Sequence, residues 1–182
     1  MSGASGTGLR GLRLRGYWRS SSSWRVRIML GLKGLPWEHV GVHLLEGDHT
    51  SDAHRALNPL EQVPVLEWEE AGERRVLTQS LAIASYLDAR VPEPPLLPAA
   101  PLDRARVWEL AEIVNSGIQP HQNSRTLARI EALGGDRVAW AREAVAFGLA
   151  ALEPRATVTA GRVHNRGQVG HAAVSHVPPH IG

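Results

Sequence analysis

Apolar and polar residues alternate in short runs through the first half of the chain, and this pattern predicts strands and helices in turn. Leu12–Arg15 alternates with the two-residue period of a strand, and Trp24–Leu32 has its apolar residues at helical spacing before Gly34. Trp37–Leu44 alternates again as a second strand, and Asp48–Leu57 is typical of a short polar helix. The first predicted elements are therefore β-α-β-α.

The next stretch predicts a β-hairpin, a third helix and a linker. Val63–Trp68 and Arg75–Thr78 flank a Glu/Gly turn, as two antiparallel strands do, and Ser80–Ala89 continues as a helix. Val91–Pro98 then contains four prolines. Because proline fixes φ and has no backbone N–H, this segment predicts a stiff connection and a domain boundary.

The second half of the chain predicts helices and no strands. Leu102–Ile130 and Arg137–Leu152 both have heptad-like apolar spacing. The apolar face of the second helix is predicted to hold Val138, Ala141, Val145 and Leu149. Pro154–Gly182 has neither helical nor strand periodicity, which predicts a disordered tail or the product of a shifted reading frame.

Composition and charge narrow the class of protein. The 182 residues are 43% hydrophobic and contain no apolar run long enough to span a bilayer. A flexible Gly/Ser/Thr-rich leader at residues 1–8 lacks the order of a signal peptide, so a cytoplasmic protein is expected. The formal net charge is only +2 and the arginines are dispersed, so no nucleic-acid partner is predicted.

The chain contains no cysteine, which excludes disulfides, thiolate metal sites and a cysteine nucleophile. Any sulfur chemistry must therefore use a thiol that a ligand brings. The spacings of four histidines near the end of the chain match no closed zinc pattern, so no metal site is predicted there. These histidines are His164, His171, His176 and His180.

Four serines, Ser20–Ser23, stand directly before the apolar part of the first predicted helix. A helix start leaves backbone N–H groups unpaired and carries the positive end of the helix dipole. Serines there can cap the helix and point hydroxyls at an anion or a thiolate. The simpler alternative is a serine-rich loop in which one residue caps the helix.

Five sequence motifs occur in order between Leu12 and Glu153. They are Arg19–Ile28, Ala56–Pro59, Gln62–Pro64, Thr78–Ile83 and Gly117–Asn123. In this order and at this spacing they resemble the zeta class of glutathione transferases, the maleylacetoacetate isomerases. The resemblance implies a thioredoxin-like α/β domain at residues 9–90, a proline-rich linker at 91–101 and a truncated all-α C-terminal domain at 102–153. The tail at 154–182 is unlike the family.

The same resemblance implies a glutathione site. Ser20 would donate to the glutathione sulfur and Ser21 would be a second donor, so these two are the catalytic residues it implies. Donors at a helix start lower the pKa of a thiol. Ser22 stands where many members of the family have cysteine. The residues implied in binding glutathione are Ser20, Ser21, Ser22, Ser23, Trp24, Arg25, His49, Val63, Gln79, Ser80, Gln119, Asn123, Ser124 and Arg125.

Several of these assignments have simpler alternatives. Pro64 is expected to be cis and to expose the Val63 backbone to glutathione as an added strand, whereas most prolines are trans. Ser80, after Gln79, either binds the γ-glutamyl carboxylate at a helix start or is a plain N-cap. His49 either contacts the glycyl end of glutathione or is a surface histidine.

Four of the implied residues fall in the C-terminal domain. The resemblance places Gln119, Asn123, Ser124 and Arg125 on its first long helix, where Arg125 would attract an acidic substrate. The alternative is a solvated helix face. The six tryptophans of the chain are interpreted as core and edge packing.

The implied activity is glutathione-dependent cis-trans isomerisation of maleylacetoacetate to fumarylacetoacetate in tyrosine and phenylalanine catabolism. Glutathione transfer would be a side activity, and the family's usual state is a homodimer. The alternative function is that of a truncated chain that binds only glutathione or a partner. A helical domain that lacks helices is expected to expose apolar surface.

Overall fold

A computed structural model describes residues 8–159 of the chain. The chain divides into two compact units between Pro95 and Leu96, inside the proline-rich segment. Residues 1–7 and 160–182 lie outside the described residues. The predictions made for most of the leader, and for His164, His171, His176 and His180, concern those residues.

The first unit is built on a four-stranded mixed sheet. The strands are β1 (Arg10–Gly16), β2 (Glu38–Gly41), β3 (Val65–Glu70) and β4 (Glu73–Thr78). Their order across the sheet is β2-β1-β3-β4, with β1 parallel to β2 and the other neighbours antiparallel. β2 ends before the predicted strand does, because the His43 carbonyl accepts from the N–H groups of Glu46 and Asp48 and closes a turn.

Three helices connect these strands. They are α1 (Ser21–Leu32), α2 (Asp52–Arg55, after a 3₁₀ turn at Asp48–Thr50) and α3 (Ser80–Arg90). The predicted β-α-β-α-β-β-α order is confirmed. The single polar helix predicted over Asp48–Leu57 is instead two short segments, because Ser51 is extended and its hydroxyl caps α2 by accepting from the His54 N–H.

The core of the first unit lies between one face of the sheet and the helices α1 and α3. Leu14 of β1 and Leu66 of β3 are fully buried there with Leu30, Ile83 and Leu87 of the two helices. Burial alternates along most of β1, as the two-residue period of a half-buried strand requires. This packing fixes where α1 and α3 begin.

The opposite face of the sheet carries a buried carboxylate. Glu67 of β3 forms ion pairs with Arg15 of β1 and Arg74 of β4. Burial alone raises the pKa of Glu67, but hydrogen bonds and charge from Arg74 and Arg15 outweigh it and bring the pKa below the ordinary value. Glu67 is therefore held as a carboxylate between three strands.

The only lysine of the chain closes the C terminus of α1. The Lys33 side chain is completely buried, and its Nζ lies 2.6 Å from a carboxylate oxygen of Asp88. The same Nζ donates to the carbonyl of Pro94. One ammonium group thus ties α1 to α3 and to Pro94 of the proline-rich segment.

The second unit is helical throughout its described part. Its helices are α4 (Pro101–Asn115), α5 (Gln119–Gln122), α6 (Ser124–Ala132) and α7 (Arg137–Thr159). The stretch Leu102–Ile130, predicted to be helical, is divided among three of these helices. The chain turns at Gly117, where an added Cβ would lie 2.5 Å from the Ile113 carbonyl oxygen, and breaks again at Asn123, which is extended.

The face through which α7 packs differs from the predicted one. The buried cluster and the residues packed on it are Leu110, Val114, Ile118, Val145, Leu152 and Ala156. Ala141 is fully buried, but Val138 and Leu149 are 39% and 41% exposed, so the prediction is wrong for these two. The packed face passes instead through Gly148, where an added Cβ would lie 2.2 Å from Cγ1 of Ile118.

Helix α7 continues past Pro154, where the sequence suggested that regular structure ends. Arg155 lies 3.2 Å from Glu109 of α4, and Ala156 packs on the buried cluster. These contacts offset the backbone hydrogen bond that proline cannot donate. The prediction of an irregular tail is therefore wrong for residues 154–159. None of the helices in residues 8–159 has the length and apolar character needed to cross a membrane.

Candidate functional site

The run of serines leads directly into α1, and Ser20 caps the helix. Its Oγ accepts a hydrogen bond from the Ser23 N–H (3.2 Å), and its own N–H donates to the Tyr17 carbonyl (3.0 Å). The predicted capping role is confirmed. A hydroxyl that accepts through one lone pair still has its own proton to donate. Ser20 is thus fixed in position and can act as an O–H donor.

Ser21 and Ser22 occupy the first turn of α1 and are half-buried. No acidic residue stands in this turn, so no local carboxylate offsets the positive end of the helix dipole. The dipole and the hydroxyl donors together stabilise negative charge at this position. A thiol held there would have a lowered pKa, as a cysteine does at a helix N terminus.

Ser23 differs from the other three serines. It is buried, and its Oγ has no hydrogen-bond partner among the described residues. It packs against Gly16 of β1, where an added Cβ would lie 3.0 Å from that oxygen. Packing against β1 is the role that the structure gives to Ser23, and a direct contact with a ligand stays a prediction.

The carbonyl of Trp18 anchors the loop that precedes Ser20. It accepts hydrogen bonds from Trp24 Nε1 and Arg27 Nη2, both at 3.0 Å. The Arg27 guanidinium also lies over the Trp24 ring, 4.6 Å from its centre, and burial lowers the pKa of Arg27. Trp18 is 62% exposed and Trp24 43%, so neither lies in the core. The backbone carbonyl of Trp18 and the indole N–H of Trp24 instead hold the loop together.

Arg25 links the start of α1 to the start of α3. It is buried, and its Nη1 donates to the Ser80 hydroxyl. Ser80 is the first residue of α3, so the alternative that it is a plain N-cap is wrong. The cap position is Gln79, whose side chain makes no capping bond and whose φ is +67°. A non-glycine residue at such a φ is strained, as residues at binding sites sometimes are.

Val63 lies in the segment between α2 and β3, and its peptide bond to Pro64 is cis, as predicted. The preceding carbonyl, that of Gln62, is bonded to His54 Nε2 (3.0 Å) and Asn58 Nδ2 (2.8 Å). The main chain of Val63 forms no hydrogen bond within residues 8–159. It is therefore available to a peptide-like ligand.

His49 lies in the 3₁₀ turn before α2 and is half-buried. Its Nδ1 is buried and makes no hydrogen bond in the described part of the chain. Its predicted contact with a ligand stays a prediction. Among residues 8–159, no three or more His, Cys, Asp or Glu side chains are placed to hold a metal ion.

The four predicted site residues of the second unit are not on its first long helix, so that placement is wrong. Gln119 begins α5, and Asn123 caps α6 by accepting from the Thr126 N–H at 2.8 Å. Ser124 and Arg125 are exposed in the first turn of α6. The break comes from the extended backbone of Asn123, whose side chain replaces the interrupted helical hydrogen bonds.

Two buried polar residues near the predicted site were given no role by the sequence. His54 and Asn58 are both buried and both bind the Gln62 carbonyl. The sequence signal for their role was His54 standing four positions before Asn58, just ahead of the predicted cis-proline. That spacing places both side chains on one side of a helical turn.

Hydrogen bonds join three of the predicted segments. Arg25 and Ser80 connect α1 to α3, and Gln79 Nε2 lies 3.5 Å from Gln62 Oε1, next to Val63. The N termini of α1 and α3 are thus connected to the segment at Val63, whose main chain has unused hydrogen-bonding capacity. This arrangement suits an anionic, peptide-like ligand that carries a thiol.

Comparison with known proteins gives consistent matches. Residues 19–90 match the family described as "Glutathione S-transferase, N-terminal domain". Glutathione S-transferase Z1 of Arabidopsis thaliana is 42% identical over 153 residues, 83% of this chain and 67% of that protein. Maleylacetoacetate isomerase of Rattus norvegicus is 40% identical over 151 residues, 82% of this chain and 67% of that protein.

Solved structures agree with these relatives. A crystal structure of maleylacetoacetate isomerase from Anaeromyxobacter dehalogenans, with glutathione bound in its active site, is 52% identical and aligns with a TM-score of 0.75. The alignment covers 84% of this chain and 71% of that one. The chain therefore spans about two thirds of the length of its relatives. The predicted fold class, a thioredoxin-like α/β domain followed by a helical domain, is confirmed.

Proposed function

The chain belongs to the zeta class of glutathione S-transferases, which includes the maleylacetoacetate isomerases, and from this membership we propose that it binds glutathione and isomerises maleylacetoacetate to fumarylacetoacetate. The observation that carries the proposal is the hydrogen-bonded connection of both helix starts, through Arg25 and Ser80. It fits a ligand with a carboxylate at one end and a thiol further along. This reaction would be a step in the breakdown of tyrosine and phenylalanine.

Glutathione would be held at three points. The N terminus of α3, with Ser80 and the backbone around Gln79, would bind the γ-glutamyl carboxylate. The Val63 main chain would pair with the cysteinyl unit as an added strand does. The N terminus of α1 would receive the sulfur, with Ser20 and Ser21 as hydroxyl donors.

Bound glutathione supplies the nucleophile: its thiolate adds to the cis double bond, the resulting single bond rotates, and the thiolate leaves to restore a trans double bond. Ser20 would donate its O–H proton to the sulfur as a hydrogen bond and keep the thiol ionised near neutral pH. Ser21 would share this task from the first turn of α1. No cysteine of the chain competes for the substrate, because the chain has none.

Arg125, exposed at the start of α6, would supply positive charge for an acidic substrate. Gln119, Asn123, Ser124, Ser22, Trp24 and His49 stay predictions as glutathione contacts. A homodimer is expected, because the family resemblance implies it, and a cytoplasmic location is expected as well.

A second candidate function is glutathione binding without turnover. It is favoured by the exposure of apolar side chains on α7, where Phe147 is 77% exposed. Large exposed apolar side chains mark a surface that binds a partner or aggregates. The three proposed contacts with glutathione all lie in the first unit and would persist.

The test begins with a thermal melt with and without millimolar glutathione, since a ligand at about 100 times its Kd stabilises a fold by roughly 2.7 kcal/mol. Isomerase activity is then measured for the native chain, Ser20→Ala and Ser116→Ala, a serine of the second unit outside the proposed site. Loss of one donor to the developing charge is expected to lower kcat/KM by about 10²-fold in Ser20→Ala alone. A stabilising shift without activity would favour the second candidate, and the absence of any shift would refute both.

A further inference from the structure

A buried histidine holds the segment that presents Val63. The ring of His54 in α2 is buried, and its Nε2 lies 3.0 Å from the carbonyl oxygen of Gln62. Because a carbonyl can only accept, His54 Nε2 carries a proton and donates it to the Gln62 oxygen. Nδ1 is buried and receives no hydrogen bond from the described residues. The polar contact that accounts for a histidine here is therefore the one to Gln62.

Asn58 is also a donor to the Gln62 carbonyl. Its Nδ2 donates to the Gln62 oxygen at 2.8 Å, while its Oδ1 accepts from the Leu60 N–H at 3.1 Å. Asn58 thus closes the turn between α2 and β3, and His54 adds a second donor from the helix itself. Both lone pairs of the Gln62 oxygen have a donor.

The direction of the Gln62 carbonyl determines the direction of the Val63 N–H. The peptide group between Gln62 and Val63 is planar and trans, so its C=O and N–H point in opposite directions. With the carbonyl turned toward His54 and Asn58, the Val63 N–H is turned away from them. That N–H forms no hydrogen bond within residues 8–159, so it is left as an unused donor.

We propose that His54 is a positioning residue for glutathione: by fixing the Gln62 carbonyl it aims the Val63 N–H at the cysteinyl carbonyl of the tripeptide. The inference rests on the proposed function and deepens it. The Gln62 side chain also accepts from Nε2 of Gln79, the residue directly before α3. Fixing Gln62 therefore helps to hold the start of α3 as well. His54 touches neither the ligand nor the reacting atoms.

The test compares His54→Phe with His54→Gln. Phenylalanine keeps a planar ring but removes the donor, whereas the glutamine amide nitrogen can take the place of Nε2. Glutathione Kd, measured by calorimetric titration, is expected to rise roughly five- to tenfold in His54→Phe, as the loss of one positioning hydrogen bond implies. His54→Gln is expected to bind within about twofold of the native chain. The KM for glutathione should rise in His54→Phe while kcat at saturating glutathione is kept.

The matched control is His39→Phe, the same substitution at an exposed histidine of β2 that packs edge-on against Trp37. It is expected to leave the Kd unchanged. If His54→Phe does not fold, His54→Asn replaces it, because the shorter amide does not reach Gln62 and His54→Gln does.

Three outcomes separate the possibilities. A native Kd in both His54→Phe and the control overturns the positioning role, and so does a failure of His54→Gln to restore binding. A native chain that binds no glutathione refutes the proposed function, and the role of His54 with it.

Discussion

The guanidinium of Arg25 and the hydroxyl of Ser80 form a buried hydrogen bond between the beginning of α1 and the first residue of α3. The two helices pack on the same face of the sheet, so a side chain can bridge them there. An arginine used in this way places positive charge beside two helix starts that are already electropositive. That concentration of positive charge favours an anionic ligand over a neutral one.

Replacing Arg25 by methionine is therefore expected to weaken glutathione binding and the fold together. Loss of a buried charged hydrogen bond is expected to lower the free energy of unfolding by about 1.5 to 3 kcal/mol. Urea denaturation and glutathione titration measure the two effects. Arg129→Met is the control, since Arg129 is exposed on α6 and forms no ion pair among the described residues. Equal affinities in the two variants would contradict the electrostatic role.

The paired carboxylate of Glu67 predicts an acid-sensitive first unit. Its folded pKa lies below the ordinary value near 4.5, so its ion pairs stabilise the fold above that pH. This contribution is lost as the pH falls through the lowered folded pKa. Glu67→Gln should cost about 1 to 3 kcal/mol at pH 7 and flatten the acid limb of the stability curve.

Denaturation midpoints collected between neutral pH and pH 3 test this. Glu69→Gln, at an exposed position on the same strand, is the matched control and should keep the native pH dependence. An unchanged acid limb in Glu67→Gln would show that Arg15 and Arg74 contribute nothing through this carboxylate.

Gly148 allows α7 to approach the buried Ile118, so Gly148→Ala is expected to destabilise the second unit. The added methyl would overlap Ile118 at 2.2 Å, and overpacking of this kind costs about 1 to 3 kcal/mol. Gly31→Ala is the control: that glycine lies in α1 with open space around it and should gain roughly 0.5 to 1 kcal/mol. Thermal melts of both variants give the comparison. Stabilisation by both substitutions would mean that α7 packs differently.

The exposed side of α7 predicts poor solubility. Phe147 projects 77% of its surface from the helix, and replacing it by lysine should raise solubility and reduce binding of a hydrophobic dye. Ala150→Lys adds the same charge at an exposed position of the same helix without removing an aromatic ring. If both variants gain equally, charge rather than apolar exposure limits solubility.

The order of elements in the first unit could be predicted because each strand and helix has its own clear period. The start of α1 could be predicted for the same reason, as the N-cap at Ser20 illustrates. The packed face of α7 could not be predicted, because it depends on tertiary contacts. Helix α7 is apolar on more than one side, so its sequence could not distinguish Val138 from Ala141, and only the fit of Ile118 into Gly148 decides it.

Helix breaks and buried polar contacts also could not be predicted. Asn123 interrupts a stretch whose apolar spacing continues across it, because its side chain satisfies the new helix start. His54 looks like any polar residue of a short helix until the chain brings the Gln62 carbonyl back to it. Neither contact leaves a periodic pattern of apolar residues in the sequence.

The burial of Lys33 has a practical consequence for labelling. The chain has one lysine, and that side chain is completely buried against Asp88. Amine-reactive reagents will therefore find no lysine on the folded first unit, and acylation of Lys33 will report the opening of α1 from α3. The protein carries a single built-in chemical sensor of its own unfolding, at the point where its first unit ends.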